Sequence, residues 1–547
     1  MDKKSLLAIA LSILILVVYQ EFISYFYPPP PPAVPSSPSS PASAPDAFPP
    51  EEKSLQTAPS GSAAATETAP ATTPVSAPAR ELTIENDVYS MVLTSLGGRL
   101  KSVRLKHYPG DDGKGSAPRE MILTDGESEL PLGFRLEGKD TMLSDEALRY
   151  ETTSENVKIS GEAQATVELI GQLANGSLVT KTFTFNGATY GIGLTVKVTD
   201  APEAARLASL LWTQRVAISA DSYLFEGPVA LIDRTFTYET ATDLVTEEKD
   251  LGPGRIRWGG YADTYFLAAM IPPESDTNRF RLSASEGSVT SKLSIPWNRE
   301  PITYTLYVGP KDFAALNAVN TILDRAIDFG WSHFISRPLV HMLRFSHSLT
   351  GNYGIDIILL TFLVKLVFFP LSNKSFKSMA QMREVQPQME RLREQYKNDR
   401  ERLNKEMMEL YRNNKVNPLG GCLPMLVQMP VFFGLYQALS SAIELRQAPF
   451  FGWIQDLSLP DRLGSLDLWF IAPPGIPVLT LLMGATMLIQ QAMTPMQGDP
   501  LQQKMMMLMP VIFTVMFVNF PSGLVLYWLV NNVLSITQQY AYQKGMI

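Results

Sequence analysis

IDIILLTFLVKLVFFPL, from Ile355 to Leu371, decides the fold. One cation, Lys365, interrupts its apolar run, and a strongly charged stretch follows. About 17 residues at 1.5 Å each come close to the ~30 Å hydrocarbon core of a bilayer, so the run reads as a transmembrane helix. A lysine at that depth costs about 2.5 to 3.5 kcal/mol on the insertion scale. Its ammonium needs a solvent, and two arrangements supply one. Either the side chain snorkels over roughly 9 Å of helix rise to the headgroups, or the protein keeps a wet recess inside the membrane.

Upstream, the chain reads mostly as soluble protein. Residues 1–27 join Lys3 and Lys4 to LLAIALSILILVVY, which fits an uncleaved N-terminal transmembrane anchor with its lysines in the cytoplasm. Residues 28–79 open with PPPPP and continue in Pro, Ala, Ser and Thr, a disordered linker that can bury no core. Residues 80–311 alternate apolar and polar positions between turn signals and read as an all-β domain, a sandwich of sheets. In VTKTFTFNGATYGIGLTVKV the alternation surrounds Asn186-Gly187, a dipeptide suited to a type I′ hairpin turn. Gly97-Gly98 breaks an earlier pair of strands. GDDGKG at Gly110–Gly115 resembles a phosphate loop loosely, but Tyr108 and Gly115 replace its first glycine and its Ser or Thr, so it reads as a surface turn. Residues 312–350 set Trp331, Phe334, Leu339, Met342 and Phe345 against His, Arg and Ser. That is an amphipathic helix lying in the membrane interface, interrupted at Pro338.

Downstream, residues 351–372 form transmembrane helix 2. Residues 373–421 carry more Lys and Arg than Asp and Glu, which places them in the cytoplasm. There Met382, Val385, Met389 and Leu392 follow helical spacing, and Leu403, Met407 and Leu410 begin a second stripe after Asn398-Asp399. This predicts a cytoplasmic helical hairpin with Pro387 kinking its first arm. Residues 422–443 form transmembrane helix 3, and 444–475 a periplasmic loop anchored by Trp453 and Trp469. Residues 476–547 hold transmembrane helices 4–6 and a short cytoplasmic tail. Six spans then alternate, with both termini cytoplasmic.

Polar residues within the spans gather in their cytoplasmic halves. Thr361 lies one turn from Lys365, Gln428 near the inner end of its helix, and Gln490, Gln491, Asn531 and Asn532 in the later spans. Each suits an interhelical hydrogen bond, and their shared bias suggests a hydrated recess open to the cytoplasm. A net charge of −8 with no basic block argues against nucleic-acid binding. The single cysteine, Cys422, excludes an internal disulfide and any multi-cysteine zinc site. His107, His333, His341 and His347 do not share a face, so no metal site is expected. With no nucleotide motif and no acid–base pair, neither a cofactor nor an enzyme is expected.

NPLGGCLPMLVQMPVFFGLY (Asn417–Tyr436), ELRQAPF (Glu444–Phe450) and MPVIFTVMFVNFPSGLVLYWLVNN (Met509–Asn532) resemble the YidC-type membrane protein insertases of the Oxa/Alb superfamily, in their Gram-negative form with a large periplasmic domain. The resemblance covers essentially the whole chain. It implies a multi-span α-helical protein of the bacterial inner membrane, with six transmembrane helices, a five-helix insertase core and a periplasmic β-supersandwich of galactose-mutarotase-like fold. The implied function is that of an insertase and folding chaperone for nascent membrane proteins, acting alone or with the Sec translocon through a hydrophilic groove open to cytoplasm and lipid. Groove residues would be Lys365, Thr361, Gln428, Tyr527, Trp528 and Asn532. The family normally has arginine at Lys365 and tyrosine at Trp528. Lysine keeps the charge but loses the bidentate fork. Implied partners are nascent membrane proteins, the Sec translocon and its accessory subunits, membrane lipids, and ribosome or targeting factors through the cytoplasmic loops. Two rival readings are a solute transporter or channel with Lys365 as an intramembrane cationic site, and a tethered periplasmic carbohydrate enzyme. Transporters commonly carry paired repeats with broken helices, and no such repeat is visible here.

Overall fold

The computed structural model describes residues 79–547, except 111–114, 125, 127–128, 217–225, 241–243, 245–247, 286, 398, 415, 418–422, 467–473, 495–499 and 547. The expected anchor at 1–27, the linker up to its last residue, Cys422 and Trp469 lie outside the described residues.

Alternating burial builds the β domain from three sheets. A five-stranded sheet centres on Glu81–Glu85, Tyr89–Thr94 and Arg99–Pro109. An eight-stranded sheet contains the hairpin Leu178–Asn186 and Gly191–Thr199. A six-stranded sheet runs in the order Lys249–Asp250, Arg279–Ser285, Ser288–Pro296, Ala205–Arg215, Gly133–Gly138, Met142–Ser144. Gly97 and Gly98 turn between two strands at φ of 69° and 55°, where side chains other than glycine are disfavoured. The Asn186-Gly187 turn differs from expectation. Asn186 closes the first strand and Gly191 opens the second, so the loop is longer than a two-residue type I′ turn. Gly187 avoids positive φ. It is small because a Cβ there would run into the backbone of Ser160.

The inward face of this hairpin holds a charge among Val179, Phe183 and Phe185. Lys181 is fully buried and pairs with Asp145 at 2.6 Å. Its ammonium also donates to the carbonyls of Gly97, Gly98 and Leu132. Asp145 accepts from the Phe134 amide and the Tyr150 hydroxyl. Burial lowers the Lys181 pKa and Asp145 opposes that shift. The pair ties the Gly97-Gly98 turn to the hairpin.

The rest of the described chain is helical. α1 (Phe313–Val319) and two short 3₁₀ turns lead to α2 (His333–Thr350), then α3 (Tyr353–Gln395) and α4 (Arg400–Asn413). α5 (Leu423–Ser441), α6 (Val478–Met493), α7 (Pro500–Phe517) and α8 (Ser522–Gln543) complete the chain. Gly351, in the left-handed region at φ 66°, ends α2, and the Asn352 carboxamide caps α3 by accepting from the amides of Gly354 and Ile355. Where an amphipathic helix is expected over 312–350, α2 spans only 333–350, with Pro338 inside it. α3 does not stop near residue 372. It continues through Pro370 and Pro387 as the first arm of the hairpin, because Asn373 onward keeps a helical pattern. Asp399 caps α4 through the Arg402 amide, where the turn was expected. Met382, Val385 and Met389 form the hairpin core with Val416, Met407, Leu410 and Tyr411. Leu392 lies outside that cluster and is half-buried.

Candidate functional site: a polar end in an apolar helical bundle

α3 buries Ile357, Leu360, Thr361 and Val364, and exposes Leu359, Phe362, Leu363, Leu366 and Val367. α7 likewise exposes Met507, Leu508, Val511, Ile512 and Val515. Such continuous apolar faces are untenable in water and natural in lipid. Among the described residues one helix, α3, is long and apolar enough to cross a membrane by itself, with mean hydropathy 2.2 over its best window. α6 and Met506–Phe517 are apolar but shorter.

Inside the bundle, side chains sort by depth. One end is a closed apolar core of Leu360, Leu435, Leu439, Met483, Phe517 and Leu524 with their neighbours. Trp528 is half-buried beside it, its ring centroid 4.6 Å from Phe432 and 4.9 Å from Phe517. At the other end hydrogen bonds replace apolar contacts. Gln428 donates to Asn531 at 3.1 Å, linking α5 to α8. Asn532 donates to Thr486 at 3.2 Å, linking α8 to α6. Further along, Gln538 reaches Asn373, and both Gln539 and Arg383 donate to the carbonyl of Met493 at the end of α6. The hairpin is thereby held to the bundle.

Lys365 lies on α3 between these two ends. It is half-buried, makes no hydrogen bond or ion pair with a described residue, and has no described charge close enough to act on it. Thr361 faces inward, but its hydroxyl donates to its own helix at the Ile357 carbonyl, which leaves only an oxygen lone pair for a visitor. The Tyr527 hydroxyl is buried beside the Gln428 side chain. Of the six residues singled out from the sequence, Gln428 and Tyr527 stand together, Asn532 faces another helix, and Trp528 belongs to the aromatic layer. Thr486, Asn373 and Gln538 escaped the sequence reading. A lone polar side chain in each apolar stretch was the available signal.

Comparison with known proteins accounts for both parts of the chain. Residues 81–342 match the model of the YidC periplasmic domain, and 345–547 that of the 60Kd inner membrane protein. The Syntrophus aciditrophicus (strain SB) protein named Membrane protein insertase YidC is 42% identical, covering 100% of both chains. The chain belongs to the YidC family of membrane protein insertases. A relative of the same name from Geotalea daltonii is 37% identical over the full length of both chains. Among solved structures, an active YidC insertase crystal structure with the first transmembrane domain resolved is similar at 20% identity and a TM-score of 0.37. It covers 84% of this chain and 92% of that one. YidC membership fixes the β domain as periplasmic and selects insertion over the transporter reading.

The β domain and the bundle meet at ELRQAPF. Arg344 of α2 forms ion pairs with Asp312 and Glu444. Arg446 donates to the Pro109 carbonyl and Gln447 to that of Gly110, so the chain docks here at the start of the stretch read as a surface turn. The guanidiniums of Arg119 and Arg446 lie over the Phe266 ring, 5.5 and 5.3 Å from its centroid.

Proposed function

We propose that this YidC protein receives nascent membrane proteins at Lys365 and passes them sideways into the lipid of the bacterial inner membrane. The observation that carries the reading is an ammonium with no counter-charge among the described residues, lying between a closed apolar end and a polar end. Only water or a visiting acidic segment can complete its shell there. In this reading α3, α5, α6, α7 and α8 are five spans behind an N-terminal anchor, six in all. Both termini and the hairpin are cytoplasmic. Thr361, Gln428, Tyr527, Trp528 and Asn532 line the recess with Lys365, and Met382, Val385, Met389 and Leu392 belong to the hairpin arm. The Sec translocon, ribosome and targeting factors are partners proposed for the surfaces outside the recess.

No bond is made or broken. About 20 apolar residues at roughly −0.3 to −0.6 kcal/mol each release on the order of 10 kcal/mol on entering lipid, enough to drive insertion without a nucleotide. The barrier lies in moving polar flanks, and a wet recess shortens that path. The test is a Lys365→Cys variant on a Cys422→Ser background. A membrane-impermeant thiol reagent should label position 365 from the cytoplasmic face, and a photocrosslinker there should capture a stalled nascent span. A site that is dry, or that crosslinks only to lipid, removes the proposed route.

A further inference from the structure

A second recess lies far from the bundle, on the six-stranded sheet. It has a volume of about 270 Å³ and is lined by Arg99, Glu129, Arg135, Ser144, Thr213, Thr290 and neighbouring residues. Strand register explains its chemistry. Ser283 pairs with Thr290, and Thr290 with Thr213, so three hydroxyls cross three adjacent strands in one row. Ser285 and Ser288 form the next rung. The Thr213 and Thr290 hydroxyls lie 3.0 Å apart and share a hydrogen bond, while Ser283, one strand about 4.8 Å further on, has no described partner.

A hydroxyl row on a strand face is ordinarily a solvated surface. Here it is partly roofed. Ser288 and Arg99 are each only 6% exposed, and Ser288 donates to Glu129 at 2.9 Å from the segment that folds over them. Arg99 donates to the Leu130 carbonyl, and Gly133 leaves room for its guanidinium, since a Cβ there would lie 3.1 Å from Nη2. Among the described residues, two guanidiniums, Arg99 and Arg135, balance two carboxylates, Glu129 and Glu146, with Arg135 and Glu146 4.0 Å apart. Balanced charge selects against an ion of either sign. Hydroxyls both donate and accept, and a ligand carrying several hydroxyls matches them group for group. Among the described residues, Leu130 and Leu211 supply the apolar wall and no aromatic ring lines the recess. The volume sits just below the usual range for drug-sized ligands.

We infer that this face of the periplasmic domain binds a neutral, polyhydroxylated ligand the size of one or two sugar rings, through the Ser283–Thr290–Thr213 row. The site is independent of insertion. The test uses the full chain in lipid nanodiscs, free of sugar-based detergent, and saturation-transfer NMR with maltose and with N,N′-diacetylchitobiose as probes. At least one sugar should receive saturation at millimolar concentration. The Ser283→Ala, Thr290→Val double variant should weaken that signal about tenfold, and Ser283→Ala alone, which breaks no described hydrogen bond, should weaken it without moving the melting midpoint. Inorganic phosphate should not compete. The inference is overturned if neither sugar receives saturation, if the double variant binds as well as the parent, or if phosphate displaces the sugar and so marks an anion site.

Discussion

Reversing the charge at Lys365 tests the insertion mechanism most directly. No described carboxylate offsets this ammonium, so an incoming acidic residue feels its full charge. At 4 Å and an effective dielectric of 20 the attraction is about 4 kcal/mol, and Lys365→Glu turns it into repulsion of the same size. Water in the recess weakens both. If a quarter of the ~8 kcal/mol swing survives, about 2 kcal/mol remains, more than a tenfold effect. Lys365→Arg keeps the charge, and Lys365→Met removes it at similar length. The assay is protease protection in proteoliposomes, comparing single-span substrates that carry an acidic or a neutral N-terminal tail. The Arg variant should insert both like the parent. The Met variant should slow the acidic tail, the Glu variant should slow it at least about tenfold, and neutral tails should change little in either. Equal insertion of acidic tails by the Glu variant, at equal protein levels, refutes the charge argument.

Asp145→Asn leaves Lys181 charged and buried without its partner, and breaking such a pair costs about 3–5 kcal/mol; a fall in the melting midpoint of the β domain checks it. Burial lowers the Lys311 pKa to about 8, from an ordinary value of 10.5. The unfolded chain keeps this proton up to about pH 10.5, so stability from this group is lowest below pH 8 and rises between pH 8 and 10.5. Thermal melts from pH 8 to 9.5 should show the rise, and Lys311→Met should flatten it. Buried Tyr89 and Tyr304, whose pKa values burial raises, act in the opposite sense only above pH 10. Gly354→Ala drives a Cβ into the Phe450 ring at the start of α3 and should cost about 1–3 kcal/mol, read as earlier unfolding of the helical part.

Sequence patterns were most reliable where structure is local. The 2.0 and 3.6 periodicities separate the β domain from the helices, and the run around Lys365 marks the longest apolar helix, since a side chain's burial is set by its position in its own element. Local pattern misplaced what depends on distant chain. The charged stretch after Leu371 suggested a separate helix beyond residue 372, yet α3 runs on unbroken, its helical pattern continuing into Met382, Val385 and Met389 of the hairpin core. Asn186-Gly187 suggested a tight turn, but the loop is shaped by the approach of Ser160.

The one-dimensional chain by itself determined the coarse architecture: a β domain, an apolar helical part whose longest apolar run holds Lys365, and a charged hairpin. Only the tertiary structure decided which polar groups share a hydrogen bond. Gln428 meets Asn531, Asn532 meets Thr486, Lys181 meets Asp145, and Lys365 meets no described partner. The physical reason is range. A hydrogen bond requires its atoms within about 3 Å, and for residues far apart in sequence that precision comes from packing whole helices and sheets rather than from the spacing of residue types.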